Sequence, residues 1–101
     1  MTQERNMDKK CKLVPGQVVR AIAGRDRGNI FLVFEVLDAK HVLIVDGKSR
    51  RLERPKKKRI IHLQAFNVFM EDFETVKKSR TFNNAHIKKY LSAYEMNEED
   101  C

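Results

Sequence analysis

The chain has no tryptophan, only two cysteines and two prolines, and four glycines among its 101 residues. Each scarcity closes off a class of protein. Cys11 and Cys101 lie near opposite ends, and no CxxC or HxxxH spacing occurs, so a metal site is not expected. His41, His62 and His86 each stand alone in sequence. The longest unbroken apolar run is Ile30 to Phe34, far short of the roughly 20 residues that cross a bilayer. The opening MTQERNMDKK is charged and has no apolar core of the kind an export signal needs. These features predict a cytoplasmic protein with reduced thiols and no membrane association.

Parts for catalysis are missing as well. Gly24 to Gly28 does not fit GxxxxGK[ST], so it is not a nucleotide-binding P-loop. No serine or cysteine stands in a nucleophile elbow. Asp26, Glu35 and Asp46 have no evident acid or base partner. The expectation is a protein that is not an enzyme, with no cofactor and no small-molecule substrate.

What the chain does have is positive charge, unevenly placed. The formal net charge is +7. Residues 1–59 hold 16 Lys/Arg against 7 Asp/Glu, whereas residues 60–101 hold 5 against 7. The densest stretch, Lys48 to Arg59 (KSRRLERPKKKR), carries eight basic residues and the single acid Glu53. The chain closes on Glu95-Met96-Asn97-Glu98-Glu99-Asp100.

Apolar patterning predicts short strands followed by helices. Strands are expected at 17–23 (QVVRAIA), 30–37 (IFLVFEVL, with a bulge near Glu35), 41–45 (HVLIV), 48–52 and 60–63. Gly24 and Gly28 bracket a loop, and Asp46-Gly47 reads as a type I′ hairpin turn. Pro55 is expected to end the fourth strand. Phe66, Phe69, Met70 and Phe73 recur at helical spacing, and this stripe is read as core that caps a barrel. Ile87, Tyr90, Leu91 and Tyr94 repeat that spacing, so a helix is expected at 85–95, with Asn83 or Asn84 as N-cap. The predicted organisation is a basic N-terminal arm (1–12), a barrel (13–63), a helical extension packed on it (64–95) and an acidic tail (96–101). The fold class is mainly β with C-terminal helices, a small antiparallel barrel plus one or two helices.

The run from Gly16 through Gly28 (GQVVRAIAGRDRG) resembles a KOW motif, in which a strand leads into a basic loop closed by glycine and a second apolar strand follows. The likeness continues through Val33-Phe34-Glu35-Val36, Val42 to Gly47, the basic run and Ile61-His62-Leu63. Phe31 stands where many such motifs carry a second glycine. The chain is thus similar to small bacterial KOW-domain RNA-binding proteins, which are similar in turn to archaeal and eukaryotic large-subunit ribosomal proteins. The resemblance implies an SH3-like barrel and a role in translation with RNA as partner, either structured ribosomal RNA or the ribosome itself. Gly28 is the motif's loop glycine.

The placement of charge points the same way. Arg25 and Arg27 on one loop, and Lys48, Arg50, Arg51, Arg54, Lys56, Lys57, Lys58 and Arg59 after the next hairpin, are expected to converge with Arg20 on one phosphate-binding face. Arginine's planar fork suits bidentate phosphate contact. No aromatics interleave with the basic run, so backbone and shape recognition is expected in place of base stacking. Two other readings stand beside this one. One is a protein-interaction adaptor, which would need an exposed groove from Phe66, Phe69 and Phe73. The other is a nucleic-acid-binding accessory factor of transcription.

Overall fold

The computed structural model describes residues 13–95. The expected N-terminal arm and acidic tail, with Cys11 and Cys101, lie outside the described residues. Five strands form one antiparallel sheet: β1 (Gln17–Ala21), β2 (Ile30–Val36), β3 (His41–Val45), β4 (Lys56–Arg59) and β5 (Leu63–Phe69). Two helices follow, a single turn α1 (Phe73–Val76) and the longer α2 (Asn84–Glu95). No helix among the described residues is long and apolar enough to cross a membrane.

The spatial order of strands is β4-β3-β2-β1-β5. Strands β4 and β5 therefore occupy opposite edges, yet only a 3-10 turn, Ile60–His62, joins them in sequence. Four inter-strand steps make a flat sheet about 19 Å wide. The chain from Arg59 to Leu63 can reach no more than about 14 Å. The sheet must therefore roll until its edges approach at that turn. Two hydrogen bonds fix the corner: Ile60 N–H donates to Lys40 O at 2.8 Å and Ile22 N–H to His62 O at 2.9 Å. No ladder joins β4 to β5, and the sheet stays open between them.

Rolling gives the sheet two buried faces. Val19, Ala21, Phe31, Val33, Val42, Ile44, Leu63 and Leu13 pack inside the curl. Val18, Ile30, Leu32 and Val45 face outward, where Phe66, Met70, Phe73, Phe82, Ile87 and Leu91 cover them. Each fully buried aliphatic or aromatic side chain contributes on the order of 1.5–3 kcal/mol. Because both faces are covered, IFLV in β2 is buried without alternation, as in any strand packed on two sides. The pairing shifts between Val33 opposite Ile44 and Glu35 opposite Leu43, which leaves Phe34 as the extra residue of the expected bulge.

Three expectations need correction. Residues 48–52 are loop, and the fourth strand is the lysine run itself, paired His41–Arg59 through Ile44–Lys56. Asp46 explains the change. Its Oδ1 accepts from Lys48 N–H at 2.9 Å and Arg50 N–H at 2.8 Å, so its side chain builds a wide turn in place of a two-residue hairpin. Pro55 then precedes the strand and does not end it. Second, Ile60–His62 is a 3-10 turn, not strand. Third, the stripe Phe66, Phe69, Met70, Phe73 is mostly strand: β5 runs through Phe69, paired with β1, and the sheet extends beyond residue 63. Phe66, Met70 and Phe73 are core as expected, but Phe69 is 48% exposed. Pairing with β1 outweighs the helical spacing, a common override of local pattern.

The second helix matches its expectation closely. Asn83 caps it, with Oδ1 accepting from His86 N–H at 2.9 Å. Ile87 and Leu91 are buried at 0% and 1% exposure and seat the helix on the sheet's outer face. Its first turn lies directly on Gly47, which has φ +82; a Cβ there would collide with the carbonyl of Asn84. Gly28 has φ +91 but open space around it. Gly47→Ala is therefore expected to cost more than about 2 kcal/mol, left-handed strain plus collision. Gly28→Ala should cost only about 1–2 kcal/mol. Urea unfolding of both variants checks this, and equal midpoints would contradict it.

Candidate nucleic-acid interface

Strands β1 to β4 run as a meander, so alternate connections lie at the same end of the sheet. The β1–β2 loop, with Gly24 to Gly28, therefore shares an end with the long β3–β4 loop, residues 46–55. Each loop is ordered from within. In the first, Gly28 N–H donates to Ala21 O at 2.7 Å and Asn29 N–H to Asp26 O at 2.9 Å. In the second, Asp46, itself 2% exposed, gathers the amides of Lys48 and Arg50 and the Ser49 hydroxyl at 3.2 Å.

One contact ties the loops to each other, and a second ties the first loop to β4. Arg50 Nη2 donates to both oxygens of Asp26, at 3.2 and 3.0 Å. Lys58 Nζ reaches from the edge strand to Ala23 O at 3.2 Å. A third attachment comes from α2: Asn84 Oδ1 accepts from Leu52 N–H at 2.8 Å, and its Nδ2 donates to Glu53 Oε1 at 2.8 Å. That bond first, then Glu53's own amide and the nearby Arg51, hold the Glu53 carboxyl below its ordinary range. On the β2–β3 turn, Asp38 is also lowered, chiefly by the Lys40 amide and then by His41.

The twelve residues picked from sequence thus fall into distinct groups. Arg25, Arg27 and Gly28 are exposed on the first loop; Lys48, Arg51 and Arg54 are exposed on the second. Arg51 lies 4.0 Å from Glu53, a weak surface contact. Lys57 and Arg59 are exposed on β4, on the opposite side of the strand from Lys58, and Lys56 is half-buried. Arg50 and Lys58 are different. Arg50 is engaged by Asp26, and Lys58 is only 9% exposed, facing the interior of the curl with Val42, its pairing partner. Arg20 is the penultimate residue of β1, paired with Ile30 at the base of the first loop, with its guanidinium 5.4 Å from the Phe66 ring centre.

Sequence reasoning missed three participants. Asp26 is the acid between two arginines, and it anchors Arg50. Asn84 fastens the second loop to the helix. Lys88 sits on the α2 turn whose backbone lies against Gly47, so α2 adds a cation beside the loops. An acid enclosed by arginines was the one signal available in advance.

The division between structural and exposed lysines is measurable. Lys58→Glu places a carboxylate against the Ala23 carbonyl and should lower stability by more than about 2 kcal/mol. Lys57→Glu, one residue away, should change it by less than about 0.5 kcal/mol. Chemical denaturation of the two variants is the check; similar midpoints would show the Lys58 contact to be dispensable.

No protein-family model matches this chain, and a search among curated proteins returns no relative.

Proposed function

We propose that the protein binds structured RNA, with ribosomal RNA or the ribosome as the partner, through the end of the sheet where its two basic loops meet. It acts by binding, without catalysis, and on this reading the rolled sheet is the SH3-like barrel that the KOW resemblance implies. The observation that carries the proposal is the fastening of two loops into one surface, on which Arg25, Arg27, Lys48, Arg51 and Arg54 are exposed. Cations held at fixed separations suit a rigid array of phosphates, such as the backbone of a folded RNA.

The aromatic residues support contact to backbone over contact to bases. Phe31, Phe66, Phe73 and Phe82 are buried, and Tyr90 and Tyr94 stack edge-on against each other, 5.5 Å between centres. The adaptor reading needed a surface groove from Phe66, Phe69 and Phe73; of these Phe69 is exposed, and the burial of Phe66 and Phe73 weighs against it. Glu53, held by Asn84 Nδ2 at 2.8 Å, places a negative charge within the second loop.

Titration with hairpins of ribosomal RNA over a range of salt tests the proposal. If about six phosphates are neutralised, log K falls against log salt with a slope of roughly −5. A slope near zero would overturn it. The informative variant combines Arg25→Glu, Arg27→Glu, Arg51→Glu and Arg54→Glu, all exposed positions, and should abolish binding while leaving the unfolding midpoint near native. Equal affinity for duplex DNA of the same length would assign the surface to DNA as well, since only RNA offers a 2′-hydroxyl.

A further inference from the structure

Of the acids at the basic end, Asp26, Asp46 and Glu53, only Asp26 is flanked on both sides by arginine. Asp26 lies between the exposed Arg25 and Arg27 but is itself buried, at 7% exposure. Both of its carboxylate oxygens are taken by a single nitrogen of Arg50, at 3.2 and 3.0 Å, across 24 residues of sequence. Arg50 is in turn the centre of its own loop. Its carbonyl accepts from Asp46 N–H at 2.8 Å and Gly47 N–H at 3.2 Å, and its amide donates to Asp46 Oδ1 at 2.8 Å. The ion pair therefore reaches into the hydrogen bonds that shape the whole 46–50 turn.

We infer that Asp26 is a positioning residue of the interface: through Arg50 it holds the 46–54 loop against the 24–28 loop, so that the cations of both stand pre-aligned for one ligand. The effect on RNA rests on the function proposed above; the coupling of the two loops rests on the ion pair alone. On charge alone, neutralising Asp26 would favour an RNA ligand, by about twofold for one unit charge near 10 Å in water. As a positioning residue it has the opposite effect, because loops freed from each other must be ordered again on binding. The two accounts differ in sign.

Four chains are compared with the native one: Asp26→Asn, Arg50→Gln, the two combined, and Arg50→Lys. Arg50→Lys keeps a single cationic nitrogen, which is all the carboxylate uses. Amide hydrogen exchange reads the coupling without any ligand. Exchange at Asp46 and Gly47, in the loop that Asp26 does not belong to, should rise at least about tenfold in Asp26→Asn and Arg50→Gln. Val19, Phe31 and Val42 in the core should keep their protection, and Arg50→Lys should stay near native at every site. Titration with an RNA hairpin should give affinity about tenfold weaker for Asp26→Asn and Arg50→Gln, with the double variant no weaker than either single, as a shared interaction requires.

Unchanged exchange at Asp46 and Gly47 in both single variants would overturn the inference, and so would tighter RNA binding by Asp26→Asn. If the native chain bound no RNA at any salt, the proposed function would fail, and the exchange measurement would still decide whether Asp26 couples the loops.

Discussion

Three residues between opposite edges of a sheet set the geometry of this molecule. Ile60–His62 links β4 to β5, and a bridge that short cannot span a flat five-stranded sheet. The sheet rolls, and the roll creates an interior that Val19, Phe31, Val33, Val42 and Ile44 fill. It also exposes a second apolar face, which the chain after β5 must cover with Phe73, Phe82, Ile87 and Leu91. Seating α2 there brings its first turn onto Gly47 and its Asn84 onto the β3–β4 loop. A constraint at one corner thus determines which loop is braced, and by what, at the basic end.

Within that frame, residues that look alike in sequence take different physical roles. Lys57 and Lys58 are neighbours in a run of like charges, but strand alternation sends one to solvent and the other into the curl. Arg50 and Arg51 part in the same way, one engaged by a buried carboxylate and the other exposed. A high density of positive charge therefore serves two ends. Some cations close the structure through carbonyls and carboxylates, and others, Arg25, Arg27, Arg51 and Arg54 among them, are exposed. Asp26 belongs to the first set although it carries the opposite sign.

Much of this organisation was legible in the sequence, and the limits have identifiable causes. The first three strands, the β2 bulge, the Gly24 to Gly28 loop and the capped helix after Asn83 follow from β-branched runs, glycine placement and helical spacing. The inward parity of β2 was not readable, because a strand buried on both faces has no polar alternation to reveal it. A lysine-rich strand was equally hidden: nothing in KKKR favours a strand until His41 to Ile44 offers it a partner. The residues 64–69 fit both a helical and a strand period, and contact with β1 decided between them. At the basic end, the sequence revealed which charges were present and on which loops, but not the pairs Arg50–Asp26 and Lys58–Ala23, which join distant segments.

The lysine strand has a consequence beyond any ligand. An open sheet presents unpaired amides and carbonyls along its edges, and those groups can recruit the edge of another molecule. Here one edge is Lys56-Lys57-Lys58-Arg59, four successive cations. Pairing two such edges would set like charges opposite each other, which is destabilising. The exposed Lys57 and Arg59 thus set like charge against like charge in any edge-to-edge pairing of two copies along this strand.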